Sequence, residues 1–192
     1  NNTIIYPGVK IYKSTEVGDN CVIHANSVIG SDGFGFAPTE NKEFITIPQV
    51  GNVIIKNNVS VGSNTVIDRA TLNSTLIEDG VKLDNLIQIA HNVTIGKNTV
   101  IAAQSGISGS TSIGENNMLG GQVGIAGHLK MGDNIKYAAK TGVSKSVKGN
   151  ETLIGYPALT KDKYIKSYII FKKLPVIEER IKRLEEKLYY LE

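Results

Sequence analysis

The chain has 192 residues, a net charge of +3, 41% hydrophobic residues, 6% aromatics, no Trp and 20 Gly. A sizeable core can be buried, but the charge is too weak and too mixed to imply nucleic acid, and an α/β enzyme would spend more aromatics in its core. No apolar run approaches the roughly 20 residues of a membrane span, no signal peptide is visible, and the single Cys21 excludes an internal disulfide and fits a reducing compartment such as the cytoplasm. Many Gly beside many Val and Ile point to short strands joined by tight turns.

The chain starts already in pattern, at NNTIIYPGVKI, which points to a truncated N terminus. Reading every sixth residue gives Ile5, Ile11, Val17, Ile23 and Ile29. Residues 31–52, SDGFGFAPTENKEFITIPQVGN, then interrupt the pattern and carry three of the four Phe. It resumes at Ile55, Val61 and Ile67, and skips ten residues to Ile77 around a small excursion, LNSTL at 72–76. From Ile77 twelve consecutive positions hold the period: Leu83, Ile89, Ile95, Ile101, Ile107, Ile113, Leu119, Ile125, Met131, Tyr137 and Val143 follow. Two positions before the apolar residue sits a small or branched one, such as Val59, Thr65, Val93, Thr99 or Thr141. One inward aliphatic per hexad, with three hexads closing a triangular coil, is the pattern of an all-β hexapeptide solenoid. It ends near LIGYPA, giving a solenoid domain over 1–158 with the 31–52 loop inserted.

Residues 159–192 read as helices. YIKSYIIFKKL forms the first, and Pro175 opens the second, PVIEERIKRLEEKLYYLE, where proline suits the first turn. Ile177, Ile181, Leu184, Leu188 and Leu191 make one apolar stripe that needs a partner. From Lys161 to Lys187, nine Lys/Arg stand against five Asp/Glu; a solvated helix face is the usual meaning of such a run.

Chemistry concentrates at NLIQIAHNVTIG. His91 sits two residues past Ile89, near a coil corner; one coil later the same place is Gly109, about 4.8 Å away. Two coils on it is Gly127, with His128 beside it. An imidazole facing a bare glycine backbone suits acyl transfer: the ring takes a proton from the nucleophile and an N–H stabilises the oxyanion. Asp84, Asn85, Gln88 and Asn92 can orient the ring or bind hydroxyls. On the inserted loop, Asp32, Phe34 and Phe36 are candidate substrate contacts, since glycine-flanked aromatics suit stacking on a ring or lining an apolar groove; a variable surface loop is the plainer alternative. Taken alone, His91 reads more plainly as a histidine filling a turn; its alignment across coils with Gly109 and His128 favours the chemical reading. A metal site is not expected, because a histidine site usually needs three ligands, and His24, seven hexads before His91, falls on another face. Cys21 sits at the small inward position of its hexad and belongs to the core.

IGSDGFGFAP, IPQVGNVII, IDRATL, LDNLIQIAHNVTIG, ISGSTSIG and GHLKMG, in this order, closely resemble the bacterial UDP-3-O-(3-hydroxyacyl)glucosamine N-acyltransferases of lipid A biosynthesis, over about residues 1–158. The related O-acyltransferases share an IAH motif but lack the DGFGF insertion in this form. The resemblance implies a left-handed parallel β-helix, a homotrimer with sites in clefts between prisms, and a Gram-negative cytoplasm. It implies a phosphopantetheine thioester on acyl carrier protein as donor, a UDP-glucosamine derivative as acceptor, no other cofactor and no acyl-enzyme. By the same resemblance His91 is the general base, Gly109 the oxyanion donor and His128 a second active-site histidine. Asp84, Asn85 and Gln88 surround the acceptor. Acyl carrier proteins are acidic, so Lys161, Lys163, Lys166, Lys172 and Lys173 are the expected docking contacts. Gly142 stands where family members can carry a bulky residue limiting the acyl chain; a turn glycine with positive φ is the rival reading. The family's N-terminal domain, which contacts the uridine, has no counterpart in this sequence. A CoA-dependent acyltransferase of the same hexapeptide type and a catalytically silent solenoid are the competing functions.

Overall fold

A computed structural model describes residues 1–156 and 158–189. It divides into two compact units, Asn1–Tyr156 and Pro157–Glu192.

The first unit is a parallel β-solenoid with three faces, each visited once per coil. The first face stacks eight strands, from Ile4–Ile5 through Lys82–Leu83 to Thr152–Leu153. The second stacks seven: Lys10–Ile11, Val28–Ser31, Val66–Asp68, Gln88–Ile89, Gly106–Ile107, Gly124–Ile125 and Gly142–Val143. The third also has seven, including Asn52–Ile55, Ser74–Ile77 and Thr94–Ile95. Most strands are only two residues long, because the hexad must also turn a corner. Ile89, Ile107 and Ile125 pair in register and are buried, so each inward aliphatic rests on its equivalents.

The small inward position has its own chemistry. Thr65, Thr99, Ser105 and Thr111 are buried, and each hydroxyl donates to a carbonyl of the following coil: Asp84, Gly114, Gly120 and Ala126 respectively. The same oxygens accept the N–H of Ile87, Asn117, Val123 and Leu129. A polar side chain costs little in this core because both of its roles are satisfied. Cys21 is also core; its thiol donates to the Lys56 carbonyl at 3.0 Å.

Both interruptions fall between the second and third faces. The first holds an antiparallel hairpin, Phe36–Pro38 against Phe44–Thr46. The second lies at 69–73, not at 72–76 as the sequence suggests: Ser74–Ile77 is a regular strand paired with Asn52–Ile55. The correction follows from the hexad itself, since Thr75 takes the small buried position two residues before Ile77.

The second unit corrects the expectation of two helices. A single α-helix runs from Lys161 to Tyr189 with Pro175 inside it. Proline's fixed φ is helical, so it removes one N–H and crowds one carbonyl, a cost of about 3 kcal/mol. Strong helix formers on both sides carry the helix across it. No residue of this helix is buried, Ile177 is only half-buried, and Ile181, Leu184 and Leu188 are exposed. Leu191, the last member of the expected stripe, lies outside the described residues. Lys161, Lys163, Lys166, Lys172 and Lys173 are all exposed, with the Lys172 ammonium 5.7 Å from the Tyr168 ring centre.

Candidate active site

The corner after the second face brings His91, Gly109 and Gly127 into one column, since Gln88, Gly106 and Gly124 pair across three successive coils. Asn92, Ser110 and His128 form the next column, all with left-handed φ near +60°. Gly109 lies directly against the imidazole. A Cβ there would stand 2.6 Å from His91 Nε2 and 2.8 Å from Cε1, so any side chain here would displace the ring.

At five corners the backbone N–H at this place in the hexad is capped by a side chain from another coil, while at others, the stacked Gly127 among them, no acceptor is found among the described residues. Asn57 Oδ1 caps Asp19, Asp79 caps Asn57, Asn85 caps Ser63, Asp84 caps Ala103 and Asp133 caps Glu115. Among the described residues nothing accepts from the Gly109 N–H. An unpaired donor beside an imidazole is the arrangement that can hold a developing oxyanion.

His91 is itself oriented. Its Nδ1 lies 3.1 Å from Asn92 Oδ1. That oxygen also accepts from the Thr71 N–H at 3.0 Å, while Asn92 Nδ2 donates to the Leu72 carbonyl at 2.8 Å, which fixes the amide's orientation. An acceptor at Nδ1 places the proton there and leaves the Nε2 lone pair toward Gly109, free to act as a base. Asn92 is therefore a positioning residue; its side chain is spent on the 69–73 loop and the ring rather than on substrate.

The inserted loop closes over the same corner. The missing Cβ of Gly33 would lie 2.7 Å from His91 Cβ, so this glycine permits the contact. Gln49, buried beneath the loop, accepts from Thr71 Oγ1 and ties the two interruptions together. Phe34 and Phe36 meet edge to face at 5.0 Å, and both line a 520 Å³ pocket with Asp32, Asp68, Gln88 and Ala90. Gln88 and Ala90 also line a 620 Å³ groove that runs on along the second face over Gly106, Gly124 and Gly142. At these three stacked glycines a Cβ would meet nothing within 4 Å, so the face is a trough. Gly142 lies in a strand and its φ is not positive, which removes the turn-glycine reading.

Asp84 and Asn85 are not part of this corner. They follow the first face and precede Gln88–Ile89, so the width of the second face separates them from His91. Their side chains cap backbone N–H groups of neighbouring coils, a structural duty that the sequence does not distinguish from ligand binding. His24 stacks flat on Tyr6 after a first-face strand, with ring centres 5.0 Å apart. Among the described residues no group of three His, Cys, Asp or Glu could hold a metal ion.

Asp68 and Arg69, from IDRATL, are the buried charges that the sequence reading passed over. Asp68 is 8% exposed and Arg69 5%. A bulge at Gly30 puts Ser31 rather than Gly30 opposite Asp68. The Ser31 hydroxyl donates to Asp68 Oδ1 at 3.1 Å, and Gln88 Nε2 donates to Oδ2 at 2.8 Å. Arg69 donates instead to the Gly30 and Lys13 carbonyls, holding the bulge, with Asp32 3.6 Å from its Nε. Burial pushes the Asp68 carboxyl up to about 6, against the lowering effect of Ser31, His91 and Gln88. The raised value means that the protonated form is the stabilising one: its contribution is full below the unfolded value and is lost as pH rises through about 6. The signal was present in the sequence as an ionisable pair directly after an inward Ile, but hexads also place solvated Asp and Glu there.

The model for bacterial transferase hexapeptide, six repeats, matches residues 1–31 and 74–109. The chain is 68% identical over 161 residues to a UDP-3-O-acylglucosamine N-acyltransferase of Cytophaga hutchinsonii, covering 83% of this chain and 46% of that protein. It is 64% identical over 161 residues to one of Christiangramia forsetii (84% and 47%) and 58% identical over 168 residues to one of Porphyromonas gingivalis (88% and 48%). The chain thus spans about half the length of the curated relatives it matches. Among solved structures, a UDP-N-acetylglucosamine acyltransferase superposes with a TM-score of 0.67 at 19% identity, covering 90% of this chain and 79% of that one. The enzyme of that name from Campylobacter jejuni gives 0.63 at 17%, covering 91% and 78%; both likenesses concern the fold alone. In its repeat and solenoid the chain is thus similar to the bacterial hexapeptide transferases, and in sequence to the UDP-3-O-acylglucosamine N-acyltransferases over about half of their length.

Proposed function

We propose that this protein moves a 3-hydroxyacyl chain from an acyl carrier protein thioester to the 2-amino group of UDP-3-O-(3-hydroxyacyl)glucosamine, in the cytoplasm. The observation that carries this reading is the free Nε2 of His91 beside Gly109, whose N–H is uncapped, next to an apolar trough that begins at Gln88 and Ala90. The acceptor sits in the pocket of Asp32, Phe34, Phe36 and Gln88, with its nitrogen beside His91. As that nitrogen attacks the thioester carbonyl, Nε2 takes its proton and the Gly109 N–H holds the oxyanion. Collapse expels the thiolate, which takes the proton back from the imidazolium. His128, one residue beyond the column, contacts the phosphopantetheine arm, and the tail runs over Gly106 and Gly124 toward Gly142. No covalent acyl-enzyme and no cofactor beyond the donor's own phosphopantetheine take part; much of the rate comes from holding both substrates in one cleft.

The working assembly in this reading is a homotrimer. The stripe of half-buried Ile177 and exposed Ile181, Leu184 and Leu188 is the surface that needs a partner, and the lysines at 161, 163, 166, 172 and 173 meet the acidic carrier protein. His91→Ala tests the chemistry. It is expected to lower kcat by at least about 10²-fold without unfolding the solenoid, in the whole gene product. Near-normal turnover in the folded variant removes the base assignment. Comparing hydroxyacyl carrier protein with acetyl-CoA as donor separates this function from that of a CoA-dependent acyltransferase, and turnover of neither marks a silent scaffold.

A further inference from the structure

We propose that Asp68 is a second proton acceptor in this site, taking a proton from the acceptor's ammonium group before His91 takes the next. The inference rests on the N-acyltransferase reading. Making an amide from an ammonium and a thioester releases two protons from nitrogen, one ending on the leaving thiol and one in solvent. A hydroxyl acceptor loses only one. A site with a single base must therefore wait for the small fraction of acceptor that arrives as free amine.

The geometry supplies the second acceptor. Asp68 lines the pocket shared by Asp32, Phe34, Phe36 and Gln88, and lies close enough to His91 for the imidazole's charge to act on it. Its oxygens each take one hydrogen bond, from Ser31 and Gln88, which leaves carboxylate lone pairs for an incoming N–H. The groups that face it are Ser31, Gln88, His91 and Asp32; the neighbouring Arg69 guanidinium is turned to two backbone carbonyls. The Arg69 guanidinium therefore does not pair with this carboxylate, and Asp32 adds negative potential that draws an ammonium in. A carboxyl near 6 is also a far better match to an amine than an ordinary aspartate, which would need a proton transfer uphill by about four units from an α-amino-like value of about 8. The proton passes from nitrogen to Asp68 and on to solvent through the open pocket. The neutral amine then attacks, and His91 removes the second proton and delivers it to the thiolate.

The test is the pH profile of kcat/KM for the amino acceptor in wild type, Asp68→Asn and Ser31→Ala, with melting curves. Asp68→Asn should lose about 10²-fold at pH 7, and the deficit should shrink as pH rises past the amine's own titration, because a free amine needs one base only. Ser31→Ala keeps the carboxylate but removes a hydrogen bond that stabilises its charge, so the acid limb should move to higher pH. A deficit for Asp68→Asn that is the same at every pH overturns the proposal, as does an unmoved acid limb in Ser31→Ala. If Asp68→Asn does not fold, the Ser31→Ala profile decides alone. Wild type that acylates no amine at any pH refutes the N-acyltransferase reading itself, a different result from either.

Discussion

Replacing Gly109 by alanine adds one methyl group at the most constrained point of the site. Gly109 φ lies outside the left-handed region, so alanine is compatible with the backbone and the solenoid has no reason to unfold. The added carbon would lie 2.6 Å from His91 Nε2, 2.8 Å from Cε1 and 3.0 Å from Cδ2. Ordinary carbon contacts are about 3.5–4.0 Å, so the imidazole must retreat by roughly an ångström. It cannot do so freely, because the space at Gly33 beside its Cβ is too small for even a methyl group and Asn92 holds Nδ1. A misplacement of that size costs about 10²-fold in rate, and the methyl also crowds the N–H assigned to the oxyanion. The expected result is a fall in kcat/KM of at least about 10²-fold with a melting temperature within a few degrees of wild type. Gly124→Ala is the control, because a Cβ there meets nothing within 4 Å and leaves His91 where it is. The assay is steady-state acyl transfer from hydroxyacyl carrier protein, with imidazole NMR resonances reporting the ring's surroundings. Wild-type turnover in a folded Gly109→Ala protein would refute the geometry, since the backbone fixes the added carbon against the imidazole.

Gly142→Met should fill the far end of the trough and shift preference toward shorter donors with the chemistry at His91 intact. At about 0.8 kcal/mol per buried methylene, two carbons should count for roughly fifteenfold in competition between donors, and an unchanged preference in a folded variant moves the ruler elsewhere. Reversing Lys161, Lys163, Lys166, Lys172 and Lys173 should slow association with acyl carrier protein and flatten its salt dependence; equal rates at both low and high salt would place docking on another surface. Light scattering at micromolar concentration should give a trimer mass, and polar substitutions at Ile181 and Leu184 should weaken the assembly; a monomer in wild type would sink it.

The solenoid is legible in the sequence because each hexad repeats one physical demand: an aliphatic inward, a small residue two positions earlier and a turn former at the corner. Eighteen-residue arithmetic therefore places Gly109 beside His91, and the structure pairs those coils in that register. It could also have shown the trough, since Gly106, Gly124 and Gly142 repeat at the same interval, but a glycine before an inward aliphatic reads equally as a turn. What the sequence could not decide was what each polar side chain does. Asp84, Asn85 and Asn92 look alike as ligands, yet their partners are backbone N–H groups whose positions exist only once coils are stacked. Asp68 looks like any solvated corner residue until the bulge at Gly30 and the inserted loop bury it against Ser31 and Gln88. The continuous helix through Pro175 also depends on more than local rules, which read a mid-segment proline as a start. Repetition encodes register, and register is local arithmetic; burial and hydrogen-bond partnership are properties of what the neighbouring coils and loops bring alongside, and only the folded chain contains them.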